Sequence, residues 1–161
     1  MANQLMPKIA AVLLAAGEST RMGKPKALLP WQGSSLIQKQ IEMLDQAGYA
    51  PIILVLGHDK ELILGEINTT TNLLVVENLQ YRQGRSTSVI EGLKHVPPDS
   101  QGILILNVDK PRSLAILRLL RVRFEQTLPS IAAIAYQNKV GHPMIFSRTL
   151  LPELFEITEE Q

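Results

Sequence analysis

The chain alternates short uninterrupted apolar runs with longer stretches in which apolar residues recur every three or four positions. The first run, Ile9 to Ala16, holds eight apolar residues and no charge. It is too short to cross a bilayer and has the length of a strand buried on both faces of a parallel sheet. Pro51 to Gly57, Leu73 to Val76, Gly102 to Val108 and Ile131 to Tyr136 repeat the pattern. Between these runs the spacing turns helical. Ser34 or Ser35 caps a helix to about Ala47, with Leu36, Ile37, Ile41 and Leu44 on one face and Gly48 as its stop. Further helices are predicted from Asp59 through Ile67, from Ser86 or Ser88 to about His95, and from Ser113 through Phe124. In the last of these Leu114, Leu117, Leu120 and Phe124 share a face, and Arg118, Arg121 and Arg123 are expected in solvent. Strands alternating with amphipathic helices predict an α/β fold, a three-layer α/β/α sandwich around a mostly parallel, Rossmann-like sheet.

With 161 residues, 45% of them hydrophobic and 19% charged, the chain is long enough for one domain with a real core and too short for two, so 1–161 is expected to be a single domain. A net charge of +1 gives no general field to draw nucleic acid or a membrane, so neither is an expected partner and any anion site must be a local cluster. The absence of cysteine excludes disulfides, thiolate chemistry and cysteine zinc sites. Lys8 before an apolar run has the look of a short secretory signal, but cleavage there would delete the first strand. A soluble, cytoplasmic protein is expected.

The local cluster follows the first strand. From Gly17 to Lys26 the chain holds Gly, Ser, Thr and Pro together with Arg21, Lys24 and Lys26, a basic loop at the carboxyl end of a strand. Open α/β sheets bind ligands at such places, and backbone amides with cations suit a polyphosphate. A Walker A loop does not fit, because five residues separate Gly17 from Gly23 and Pro25 follows Lys24. A dinucleotide GxGxxG does not fit either, because Ser19 stands two positions after Gly17.

The loop resembles the LAAGxSxRMGxxK signature of the MobA-like nucleotidyltransferases, present as Leu14-Ala15-Ala16-Gly17, Ser19, Arg21-Met22-Gly23 and Lys26. Ala16, where guanylyltransferases carry Gly, makes it more similar to the molybdenum cofactor cytidylyltransferases. A second stretch, Asn78 to Val89, resembles the family's base-recognition segment and implies Gly84, Ser86 and Ser88 near the nucleotide; read alone it is a helix N-cap. Gly102 to Val108 delivers Asp109 to a strand tip, where a carboxylate can hold Mg²⁺. The family has Gln or Met next and then Pro, whereas this chain reads Asp109-Lys110-Pro111. Gly141-His142-Pro143 matches a GHP element that precedes a strand and in relatives lies near the acceptor; the plainer alternative is a structural turn. Trp31 is expected to pack rather than stack on a base, and His58-Asp59 to cap a helix rather than bind metal.

The resemblance implies a fold of the nucleotide-diphospho-sugar transferase type and transfer of CMP from CTP to molybdopterin with release of pyrophosphate. Arg21, Lys26 and Asp109 would be catalytic, with Leu14 to Gly17, Ser19, Arg21, Lys26, Gly84, Ser86 and Ser88 binding the nucleotide. A guanylyltransferase using GTP, and a nucleotide-binding protein without turnover, are the alternatives. Relatives continue into a DIDTPxD segment that this sequence lacks, so it is expected to be C-terminally short, to bind CTP with little transfer, and to self-associate as a homo-oligomer.

Overall fold

The computed structural model describes residues 6–18 and 23–159. Strand β1 (Ile9–Ala15) is followed by a small hairpin, β2 (Pro30–Trp31) and β3 (Ser34–Ser35), and by α1 (Leu36–Gln46). Then come β4 (Ile52–Leu56), α2 (Lys60–Glu66), β5 (Leu73–Glu77), α3 (Arg85–Leu93), β6 (Gly102–Asn107) and α4 (Leu114–Thr127). The chain ends with β7 (Ile131–Tyr136), β8 (Lys139–Ser147) and α5 (Leu151–Phe155). The main sheet has the order β5-β4-β1-β6-β8-β7. Its first four strands run parallel, and β8 lies antiparallel to both of its neighbours.

The uninterrupted apolar runs are explained by burial on two faces. Ile9, Ala11, Leu13 and Ala15 of β1 face one core, into which α1 brings Ile37, Ile41 and Leu44 and α4 brings Leu117, Leu120 and Phe124. Ala10, Val12 and Leu14 face the other, closed by Val89 and Leu93 of α3 and Leu154 of α5. Each fully buried Leu or Ile contributes about 1.5–3 kcal/mol by leaving water, so a polar residue in these strands has no tolerant face. Trp31 packs against the first of these cores, as expected. Ser35 caps α1, its hydroxyl accepting from the Gln38 amide at 3.3 Å.

Two expectations need correction. Arg121 is not in solvent: its guanidinium donates to the Gly48 carbonyl, pairs with Glu125 at 2.7 Å and lies over the Tyr49 ring at 5.8 Å. A long basic side chain can cover apolar surface and still reach carbonyls at the sheet margin. The GHP element does not precede a strand but sits inside β8. Ala133 pairs with Met144 and Ile134 with Gly141, so His142 and Pro143 fall at a register shift. Proline has no N–H to give a ladder, and a bulge is where a strand accommodates it. Among the described residues no helix is long and apolar enough to cross a membrane.

Candidate nucleotide site

Parallel pairing brings the carboxyl ends of β1, β4 and β6 to one margin of the sheet, and there a cavity of about 280 Å³ opens. Leu14, Ala15, Ala16 and Gly17 form one wall, and Lys26 projects from the single turn Lys26–Leu28. Gly84, Arg85 and Ser88 face them from the start of α3, and Asp109 stands just past the tip of β6. Residues expected to bind nucleotide from two distant stretches therefore share one cavity. Ser19 and Arg21 lie outside the described residues.

The loops are fixed by backbone bonds at the strand tips. The Val108 amide donates to the Leu14 carbonyl at 3.0 Å and the His58 amide to the Ala16 carbonyl at 3.3 Å. Gly57 makes that second approach possible, since a Cβ there would stand 2.6 Å from the Ala16 oxygen and 2.9 Å from Tyr81. The carbonyl of Val108, next to Asp109, accepts from the buried Gln40 side chain at 2.6 Å. At the mouth, Glu18 pairs with Arg82 at 2.9 Å, which offsets the repulsion a lone carboxylate would exert on a phosphate. Asp59 precedes α2 and lines the cavity, but its side chain makes no cap bond, so the expected cap is not formed there.

The start of α3 depends on Asn78, which the sequence marked only as the beginning of a motif. Asn78 is 4% exposed. Its amide nitrogen donates to the hydroxyls of Thr87 (2.8 Å) and Ser88 (2.9 Å), and its oxygen accepts from the Gln80 amide at 2.9 Å. Gly84 precedes the helix at φ +120°, a conformation that L side chains rarely adopt. The Ser88 hydroxyl is thus a buried, oriented part of the cavity wall.

A second cavity of about 210 Å³ lies on the other side of the first turn of α3. Ser86 and His142 line it, with Phe146, Leu154 and Glu159. Ser86 accordingly faces this cavity rather than the first, and its amide donates to the Glu159 carboxylate. Of the three GHP residues only His142 lines it; Gly141 and Pro143 do not. Burial lowers the His142 pKa below the usual imidazole value, and the charges of Arg85, Lys110 and Arg112 lower it further, so the ring is neutral at pH 7. Hydrogen bonds from Ser86 depress Glu159, keeping it ionised. Arg85 borders both cavities, its Nε donating to the Asn107 side chain at 3.0 Å. Only its place in the motif marked it in the sequence.

Residues 11–161 match the MobA-like NTP transferase domain. The chain belongs to that family. Among its relatives is nicotine blue oxidoreductase of Paenarthrobacter nicotinovorans, 29% identical over 160 residues, 94% of this chain and 77% of the relative. A probable molybdenum cofactor guanylyltransferase of Bacillus cereus (strain Q1) is 28% identical over 101 residues, 62% of this chain and 48% of the relative. Rv0371c of Mycobacterium tuberculosis H37Rv superimposes with a TM-score of 0.82 at 30% identity, covering 98% of this chain and 80% of that one. Its manganese complex gives 0.75 at 31%, covering 93% and 76%. The fold, a mostly parallel sheet within the nucleotidyltransferase architecture, is as the MobA-like signature implied.

Proposed function

We propose that the chain transfers CMP from CTP to the terminal phosphate of molybdopterin and releases pyrophosphate. The observation that carries this is the first cavity, where signature residues Leu14 to Gly17 and Lys26 meet Gly84, Ser88 and Asp109 around one ligand-sized space. Ala16, in place of the guanylyltransferases' Gly, favours CTP over GTP. Arg21 and Lys26 neutralise the triphosphate and the amides of the Gly17 loop orient it. The acceptor, seated in the second cavity beside His142, attacks the α-phosphorus in line. The new P–O bond forms as the bond to the bridging oxygen breaks, and the electron pair leaves with pyrophosphate. No protein nucleophile is needed, because positioning and charge stabilisation supply most of the catalysis in such transfers.

Asp109 suits a hard divalent cation such as Mg²⁺ or Mn²⁺, being an oxygen donor at the rim of the phosphate cavity. Such an ion supplies Lewis-acid polarisation of the phosphates. The manganese complex of Rv0371c supports a divalent metal in this family.

A second reading, nucleotide binding without transfer, is favoured by the oxidoreductase relative, whose name denotes redox chemistry. Pyrophosphate release with molybdopterin, measured with CTP and GTP side by side, tests both. Release with CTP is expected; release with GTP alone reassigns the nucleotide, and tight binding without release selects the second reading.

A further inference from the structure

We propose that Arg85 is a substrate-contacting residue shared by the two cavities, its guanidinium holding a phosphate of the nucleotide and the anionic group of the acceptor together. Among the described residues it alone lines both spaces. It is the first residue of α3, directly after Gly84, so its backbone is set where the cavities adjoin. Asn107, the last residue of β6, holds Nε at 3.0 Å. One donor of five is spent on that tether, and the fork is held between the cavities.

Charge points the same way. None of the ion pairs among the described residues that lie within 4.0 Å involves Arg85. Its charge lowers the His142 pKa on one side of the second cavity, while the Glu159 carboxylate on another side offsets part of that charge without forming an ion pair with it. A guanidinium offers parallel donors to more than one oxyanion, as an ammonium does not. Two phosphates brought together for reaction repel each other, and a cation common to both lowers that cost. Arg85 acts by charge and hydrogen bonds alone, and the deprotonated acceptor oxygen needs no proton removed.

This inference rests on the nucleotidyltransferase reading, so the experiment separates the two. The full chain, labelled with ¹⁵N, is titrated with CTP while the Gly17 and Ser88 amides and the Arg85 Nε–H are followed, Arg85→Lys assigning the last signal. With CTP saturating, inorganic phosphate is then added as the probe of the second cavity. Arg85 Nε–H should shift in both titrations. In Arg85→Ala, calorimetry should find each ligand bound about tenfold or more weakly, the scale of a charge-assisted contact, with an unchanged melting temperature. A CTP response at Gly17 and Ser88 that leaves Arg85 unmoved overturns the inference alone. So does a CTP-saturated protein that takes no phosphate, or an Arg85→Ala that binds both ligands as the parent does. No response to CTP anywhere overturns the nucleotide reading and the inference with it.

Discussion

Replacing Asn78 by Ala removes three hydrogen bonds at once, and the structure says how unequal they are. The bond to Ser88 joins two side chains that are 4% and 5% exposed, so the Ser88 oxygen loses its partner inside the protein. That loss belongs at the upper end of the scale, about 1–1.5 kcal/mol or more. Thr87 keeps its own donation to the Gly84 carbonyl at 2.8 Å, and Gln80 is exposed, so both recover hydration and cost about 0.5 kcal/mol each. The sum is about 2–3 kcal/mol. With a urea slope of about 2 kcal/mol/M, typical of small proteins, the midpoint should fall by about 1–1.5 M. Nucleotide affinity should fall as well, since Ser88 walls the cavity. A double-mutant cycle with Ser88→Ala should show a coupling of about 1 kcal/mol. A loss under about 0.5 kcal/mol, or additive effects of the two substitutions, would refute the view that Asn78 organises the start of α3.

Arg21→Ala and Lys26→Ala should each weaken nucleotide binding by roughly 1–3 kcal/mol while leaving the fold intact; calorimetric affinities as tight as the parent's would dismiss the loop assignment. Asp109→Asn should abolish the magnesium dependence of nucleotide binding and Lys110→Gln should strengthen it, both read from Mg²⁺ titrations of the bound complex. The Glu159 carboxylate, held ionised by Ser86, stabilises the fold above its unfolded pKa, and that contribution is lost as pH falls through the lower folded pKa. Urea midpoints of the parent and Glu159→Gln should therefore differ at neutral pH and converge in acid; a constant difference would rule out that contact.

The parallel sheet was legible because strands buried on both faces must be apolar throughout. Ile52–Leu56 and Ile131–Tyr136 stand at, or within a residue of, their expected bounds for that reason. Trp31 and the Ser35 cap were equally local. What escaped the sequence were contacts between distant residues. The placement of GHP inside β8 depends on a register shift against β7, and no local pattern encodes a register. Arg121 reads as a solvent-facing helix residue until the Gly48 turn and Tyr49 come beside it. Gly84 and Ser88 were visible through the motif, whereas Arg85 became notable only once Asn107 and two cavities surrounded it.

The proposed cytidylyl transfer to a molybdopterin acceptor, at the margin where Gly17, Ser88 and Asp109 meet, is tested most directly by mass spectrometry of molybdopterin incubated with the full chain, CTP and Mg²⁺. A product heavier by one CMP, with an equal amount of pyrophosphate and none from Asp109→Asn, is the expected result. Unmodified molybdopterin and intact CTP from a protein that binds both would contradict it.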